Sequence, residues 1–202
     1  MPAVDDQLTD LHSQTELLIQ RGLPALAGMS AEAFRALAAP LHDQQPTSPC
    51  VLAINRALVP AHKLVELIEL RGKPGFTTMD TDDITRFAPT ADLDIPGSPL
   101  YLITGVDTGE DTRNVRPDDA LPLIQTAGRT PLTLEEGLSV ALQYPHWLRQ
   151  RNCFEMLGSR AGDKRVTGIW VSKGAPRLGW CWGGNPHTWL GMASATGRVG
   201  AP

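Results

Sequence analysis

Apolar positions in the first 45 residues recur at the three-to-four spacing of amphipathic helices. Two groups of residues follow this spacing: Leu8, Leu11, Thr15 and Leu18 in the first segment, and Phe34, Leu37 and Leu41 in the second. Gly22 can end the first helix, and Ser30 is a candidate N-cap for the second. The pattern predicts a helical hairpin over residues 1–45, followed by a proline-containing joint.

The middle of the chain contains both helical and strand periods. Residues 51–54 favour a short strand, and the apolar run PLYLITGV predicts a buried strand between Pro99 and Gly105. The segments RPDDALPLIQTAG and LTLEEGLSVALQYP predict two helices. Thr133 and Glu136 have the spacing of a capping box, so the second of these helices should begin there.

From Asn152 onward the apolar period changes to the one typical of strands. Four apolar segments, CFEMLGS, RVTGIWVS, PRLGWCW and HTWLGM, are separated by RAGDK, KGA and GGNP, which predicts an antiparallel meander. Helices first and strands last indicate an α+β fold, with an N-terminal helical part and central helices packed on the C-terminal antiparallel β-meander. We expect a helical extension over residues 1–45 and an α+β domain over residues 50–202, packed as one compact unit.

Length and composition limit the class of protein. A chain of 202 residues with 42% apolar and 20% charged residues is long enough for one globular domain. The start MPAVDDQLTD lacks the features of a signal peptide, and no apolar run could span a bilayer. Cys50, Cys153 and Cys181 are odd in number and include no CxxC motif. We therefore expect reduced thiols, a cytoplasmic location and no membrane partner, and the oligomeric state is not predicted.

The net charge of −4 is unevenly distributed along the chain. Residues 145–202 hold eight basic and two acidic side chains, a net of +6, whereas residues 1–144 carry a net of −10. Such a difference is typical of an anion-binding face. Attraction between the two oppositely charged parts within one fold is the alternative interpretation.

One stretch, GWCWGGNPHTWLG at residues 179–191, concentrates chemically distinctive side chains. We expect a hairpin with a four-residue loop at 183–186, in which side chains alternate between the two faces. This register puts four rings on one face: Trp180, Trp182, His187 and Trp189. Cys181 then lies on the other face, and burial among indoles should lower the pKa of His187.

This aromatic face allows two interpretations. It is either a filled core between sheet and helices or a recessed wall that binds a small anionic or ring-bearing molecule. The residues of such a ligand site would be Trp180, Trp182, His187, Trp189, Lys173, Arg177 and Asn185. His187 would make the polar contact, and Lys173 or Arg177 would bind the anion. Conversion of the ligand is left open, so the sequence does not decide whether the protein is an enzyme.

Two alternative functions use the same region. Basic side chains interleaved with Trp are also found on nucleic-acid-binding surfaces, although a sequence pI of about 5.7 is low for that class. Affinity for nucleic acid that falls steeply with salt would distinguish such an accessory protein from a small-molecule binder. A purely structural interaction module is the third hypothesis.

No metal and no organic cofactor is expected from the sequence. In the predicted register Cys181 and His187 point to opposite faces, and the other candidate ligands, Cys153 and His146, are scattered. Cys153 with a histidine base would suit thiol chemistry, but nothing in the spacing brings the two together. The acidic stretches MDTDD and GVDTGEDTRN fit helix caps and solvated loops better than a Mg²⁺ or Ca²⁺ loop, and no glycine motif for phosphate or dinucleotide binding is present.

The stretches YLITGVDTG, VRPDDALPLIQTAGRTPLTLEEG, NCFEMLGSR and RVTGIWVSKGAPRLGWCWGGNPHTWLGMASA resemble an uncharacterised actinobacterial family known only as a domain of unknown function. The resemblance covers the last half of the chain firmly and the first half loosely. It implies an intracellular actinobacterial protein of about this length with a C-terminal GWCWGGNPHTWLG motif. It implies no activity and no functional residues, so the functional hypothesis rests on the chemistry of the side chains.

Overall fold

The computed structural model describes residues 10–44 and 49–201. Seven α-helices lie within these ranges: α1 (Leu11–Gln20), α2 (Leu23–Leu26), α3 (Ala31–Asp43), α4 (Ala61–Leu67), α5 (Thr81–Arg86), α6 (Pro117–Thr126) and α7 (Leu134–Gln143). None of these helices combines the length and the apolar composition that crossing a membrane requires.

The two helices predicted at the N-terminus are confirmed, with the short helix α2 inserted between them. Asp10 and Ser30 each accept a hydrogen bond from a backbone N–H in the first turn of the helix that they cap. Gly22 has a φ of 84°, a left-handed conformation that ends α1 and redirects the chain into α2. Leu8, the first residue of the predicted helical face, lies outside the described residues.

Helix α1 packs on the first strand, β1 (Cys50–Ile54). The side-chain amide of Gln14 donates to the carbonyl of Cys50 at 2.9 Å, and its oxygen accepts from the backbone N–H of Leu52 at 2.8 Å. Leu18 and Phe34 are fully buried in the same apolar cluster as β1. The N-terminal helices therefore share a core with the first strand.

Two main sheets organise the remaining strands. The other strands are β2 (Glu69–Leu70), β3 (Lys73–Pro74), β4 (Phe76–Thr77), β5 (Ala88–Pro89), β6 (Leu100–Thr104), β7 (Thr130–Pro131), β8 (Cys153–Met156), β9 (Ser159–Arg160), β10 (Arg165–Ser172), β11 (Ala175–Trp182), β12 (Leu190–Met192), β13 (Ser194–Ala195) and β14 (Gly197–Gly200). One main sheet has the strand order β1-β6-β14, and the other has the order β12-β8-β10-β11-β4. Strands β13-β7, β2-β3 and β5-β9 form short additional pairs.

Helix α7 is buried along its whole length and contacts both main sheets. It begins with the predicted capping box, in which the side chains of Thr133 and Glu136 each accept the other residue's backbone N–H. Gly137 lies so close to Met156 of β8 that a Cβ atom would overlap the methionine side chain. The absence of a side chain at Gly137 therefore fixes how near the five-stranded sheet can come to the helix.

A buried ion pair links α7 to the C-terminal strand. The guanidinium of Arg198 on β14 donates to Glu136 Oε1 at 2.6 Å, and the hydroxyl of Tyr101 donates to the same oxygen at 3.0 Å. Both charged side chains are almost completely inaccessible to solvent. Burial and the neighbouring Glu136 charge raise the pKa of Tyr101. The three residues form one polar cluster inside an apolar core.

The C-terminal strands confirm the α+β class, but they do not form a simple meander. Strands β8, β10 and β11 are joined antiparallel, whereas β12 runs parallel to β8 at the far edge of the sheet. The predicted hairpin with its loop at 183–186 is therefore wrong. After Trp182 the chain crosses three strand spacings, about 14 Å, before Leu190 pairs with Cys153. This pairing is non-local, so the turn signal GGNP does not reveal it.

Candidate metal centre

Two glycines lie in line with Glu155 across the five-stranded sheet, and they leave space beside its side chain. Glu155 on β8 pairs with Gly168 on β10, which pairs in turn with Gly179 on β11. A Cβ atom at position 168 would lie 3.1 Å from Glu155 Cγ, and one at position 179 would overlap the ring of Trp170. The two glycines therefore leave room for a carboxylate and an indole on one face of the sheet.

Two further polar side chains reach this space. Cys181 lies two residues after Gly179 on β11 and hence on the same face, and His187 belongs to the connection between β11 and β12. An oxygen of Glu155, the sulfur of Cys181 and a ring nitrogen of His187 all lie within 4.8 Å of one another. The prediction that Cys181 and His187 point to opposite faces is wrong. The argument that they could not share a metal ion depended on that register and fails with it.

The carboxylate of Glu155 is the most unusual group in this cluster. It is fully buried, and both of its oxygens lack a hydrogen-bond partner among the described residues. Burial raises its pKa to about 7, while the nearby thiol of Cys181 and the positive charge of Arg160 act in the opposite direction. A buried acid without a donor is costly unless it is protonated or a cation neutralises it.

The other two members of the cluster also disfavour their charged forms. Burial, followed by the adjacent charge of Glu155, raises the pKa of Cys181, so without a cation this thiol stays protonated. Burial lowers the pKa of His187, as the sequence predicted. The Nε2 atom of His187 is buried without a hydrogen-bond partner among the described residues. The imidazole is therefore held neutral, the form in which it binds metals.

The connection that carries His187 is held in place from two sides. The backbone N–H of Asn114 donates to the carbonyl of His187 at 2.8 Å, and that of Asp118 donates to Gly183 at 3.0 Å. On the other side, the N–H of Gly183 donates to the carbonyl of Lys164 at 2.8 Å. These backbone hydrogen bonds position the imidazole without using its side-chain atoms.

Indole rings lie beside the cluster on the same face of the sheet. The rings of His187 and Trp189 are 5.4 Å apart, and Trp189 meets Trp170 edge to face at 5.8 Å. Trp170 also covers Gly179 and approaches the position of a Cβ on Gly168 at 3.6 Å. Trp170 and Trp189 therefore form an apolar border to the polar cluster.

Trp180 and Trp182 lie on the opposite face of the sheet, so the predicted single aromatic face is wrong. Their rings meet edge to face at 5.0 Å, and they are 37% and 49% exposed. The guanidinium of Arg165 lies 5.2 Å from the Trp180 ring, but it is held by a bidentate ion pair with Asp83 and by Asp163. Arg165 is thus neutralised within the fold.

The remaining predicted ligand residues are dispersed. Lys173 lies in the turn between β10 and β11, at the end of the hairpin remote from Trp182. Arg177 stacks on Trp170 at 5.6 Å, and its Nε atom is buried without a partner among the described residues. Asn185 is exposed, and its backbone N–H donates to Trp182 at 2.9 Å. The structure brings His187 and Trp189 together. Arg177 contacts Trp170, the indole that meets Trp189, and the other predicted ligand residues lie apart from this group.

Cys153, the other cysteine considered for chemistry, is a buried core residue. Its thiol donates to the carbonyl of Arg149 at 3.1 Å, and burial raises its pKa to about 11. A thiol in this state is a poor nucleophile. Its half-buried counterpart Cys181 is the cysteine that faces other polar side chains.

Sequence reasoning missed Glu155 as a functional candidate, although two signals were present. Glu155 is a lone carboxylate inside the apolar strand CFEM, and a strand position of that kind is unusual for an acid. Gly168 and Gly179 interrupt the two following strands, which often marks close approach of another group. Only the strand register shows that all three lie in one row.

Comparison with known proteins gives a family but no activity. Neither the curated proteins nor the solved structures contain a match to this chain. Residues 17–201 match the family of unknown function DUF5701, and this match covers nearly the whole chain. The chain therefore belongs to the DUF5701 family.

Proposed function

We propose that this protein binds a divalent transition-metal ion, with Zn²⁺ the best fit, through Glu155, Cys181 and His187. The observation that carries the proposal is the buried carboxylate of Glu155, which accepts no N–H or O–H hydrogen bond from the described residues and faces a thiol and an imidazole. Carboxylate oxygen, thiolate sulfur and imidazole nitrogen are the ligand types that zinc uses in proteins.

The distances in the cluster are compatible with coordination after a small contraction. Tetrahedral zinc with bonds of about 2.0–2.3 Å places its ligand atoms about 3.3–3.8 Å from one another. The three ligand atoms lie within 4.8 Å of one another, so they would have to close by at most about 1.5 Å. The backbone at these residues is held by hydrogen bonds, so the closure would come from side-chain rotation at His187 and Cys181.

A cation would also satisfy the electrostatics of the site. A bound divalent ion favours the ionised forms of Glu155 and Cys181, whose combined charge it neutralises. Because burial favours the protonated forms of both groups in the absence of metal, binding should release protons and strengthen as pH rises.

Three protein ligands leave one tetrahedral position for water or for another molecule. We propose that the small anionic or ring-bearing ligand expected from the sequence binds at this position, beside Trp170 and Trp189. Zinc sites with three protein ligands can lower the pKa of their bound water to about 7, which would support hydrolytic chemistry.

The free state of all three cysteines supports a cytoplasmic location for such a centre, and the actinobacterial origin stays a prediction.

The experiment is a metal analysis of protein purified without chelator and then titrated with Zn²⁺. We expect one zinc per chain, and loss of high-affinity binding in both Cys181→Ser and Glu155→Gln. Cys153→Ser is the matched control, because Cys153 is a free cysteine of the same sheet but lies outside the cluster. Equal zinc binding by the parent, Cys181→Ser and Cys153→Ser would refute the proposal.

A further inference from the structure

A second site is suggested by a cavity at the opposite end of the β10–β11 hairpin. The cavity has a volume of about 690 Å³, within the range of small-molecule sites. Four of its nine lining residues are basic and none is acidic: Arg71, Lys73, Arg149 and Lys173. Leu70, Leu148 and Val171 supply an apolar part of the wall. The lining therefore combines concentrated positive charge with a limited apolar surface.

The backbone at this cavity is unusual in two adjacent turns. Arg71 and Gly72 have φ values of 53° and 77°, and Lys173 and Gly174 have values of 53° and 79°. Consecutive positive φ values are those of tight hairpin turns whose first position favours Asn, Asp or Gly. Both turns instead carry a long basic side chain there. Strained backbone of this kind is often retained where the side chain has a function.

A hydrogen bond holds the two turns against each other at the edge of the cavity. The ammonium of Lys73 donates to the carbonyl of Lys173 at 2.9 Å. Within the described parts of the chain, none of the four cations forms an ion pair with an acidic residue. The nearest acidic neighbour in sequence, Glu69, is already paired with Arg21 at 3.4 Å. No described acidic side chain therefore neutralises these four positive charges by direct contact.

We infer that this cavity binds a compact polyphosphate group, such as the diphosphate of a nucleotide or of another phosphorylated small molecule. Four cations around one hollow match the charge of two phosphate groups, and arginine and lysine are the side chains that bind them. The apolar wall fits an attached organic group. The site is independent of the metal centre, because Cys181 lies six residues up the strand from Ala175, about 20 Å away.

Calorimetric titration with inorganic pyrophosphate, at fixed salt and without added metal, tests the inference. We expect saturable one-to-one binding that is stronger than the binding of orthophosphate. The informative variant is Lys173→Asn, which removes a charge but suits the left-handed backbone. Its pyrophosphate affinity should fall about tenfold, while its Tm should rise by about 2–4 °C. Lys164→Asn, a change at an exposed lysine outside the cavity, is the matched control and should bind normally.

The phosphate groups could belong to a soluble molecule or to a lipid headgroup. Binding to vesicles that contain a bisphosphorylated inositol lipid distinguishes these two sources. Vesicle binding that pyrophosphate displaces and Lys173→Asn weakens would support the site and assign a lipid source. Pyrophosphate binding without vesicle binding would support a soluble ligand.

The inference is overturned if pyrophosphate does not bind, or if Lys164→Asn weakens its binding as much as Lys173→Asn. Stronger binding of single-stranded oligonucleotides than of pyrophosphate at equal phosphate concentration would also overturn it, in favour of a nucleic-acid surface.

Discussion

Glu155 and Gly168 face each other across the β8–β10 ladder, and a Cβ atom at position 168 would lie 3.1 Å from Glu155 Cγ. The glycine gives the buried carboxylate its space, and among the described residues no N–H or O–H group donates to it, which leaves the weak thiol donor of Cys181 as its polar neighbour. An acid that has room but no donor is suited to a cation. This relationship is the basis of the metal proposal.

Gly168→Ala should damage the site and the fold together. The new methyl group would press on Glu155 Cγ and on the carbonyl of Phe154 at 3.3 Å, so we expect a destabilisation of about 1–3 kcal/mol and weaker zinc binding. Urea unfolding and zinc titration measure the two effects. Gly97→Ala is the control, because a Cβ there meets nothing within 4 Å. Equal stability of the two variants would show that the sheet accepts the added methyl group without strain.

The contribution of Glu155 to the stability of the metal-free protein should fall as pH rises from about 4.5 to about 7. Glu155 has a folded pKa of about 7 against an ordinary value of 4.5, so over this range the unfolded chain loses its proton while the folded protein keeps it. Unfolding then releases a proton, and the contribution of Glu155 to the free energy of unfolding should decrease by about 2 kcal/mol across the range.

Glu155→Gln isolates this contribution from those of other titrating groups. In EDTA, which removes metal, the free energy of unfolding of this variant should not include the pH dependence that Glu155 causes. The difference in free energy of unfolding between parent and variant should therefore change with pH. A difference that stays constant from pH 4.5 to 7.5 would mean that the carboxyl titrates normally in the folded state. Added Zn²⁺ should reverse the trend in the parent, since the ion stabilises the ionised carboxylate.

The sequence predicted local features better than it predicted the site. The caps at Ser30 and Thr133 follow from short-range spacing, and the structure confirms both. The position of His187 depends on β12 pairing with β8 rather than with β11, and this choice is made by distant parts of the chain. A change of strand partner moves side chains to another face, as Cys181 and His187 illustrate.

Arg198→Ala should be strongly destabilising, by about 3–5 kcal/mol, because it leaves the buried carboxylate of Glu136 without its counter-charge. Chemical denaturation at pH 7 is the measurement. Arg35→Ala, which breaks the exposed ion pair with Glu16, should have little effect and serves as the control. A small effect of Arg198→Ala would indicate that water or another donor replaces the guanidinium.

His187→Gln should fold with a stability within about 1–2 kcal/mol of the parent, because the imidazole Nε2 atom has no hydrogen bond to lose among the described residues. The same change removes a metal ligand, so zinc affinity should drop by at least tenfold. His146→Gln alters an exposed histidine outside the cluster and should keep full affinity. If His187→Gln is badly destabilised yet binds zinc normally, the imidazole supports the fold and is not a ligand.

The most direct test of the metal proposal is anomalous X-ray diffraction from crystals grown with zinc, recorded on both sides of the zinc absorption edge. We predict one strong peak within bonding distance of Glu155, Cys181 and His187, about 2.0–2.3 Å from each ligand atom. Crystals of Cys181→Ser should lose the peak, whereas those of Cys153→Ser should retain it. A zinc-saturated crystal with no peak at these three residues, or with its peak elsewhere, would contradict the proposed function.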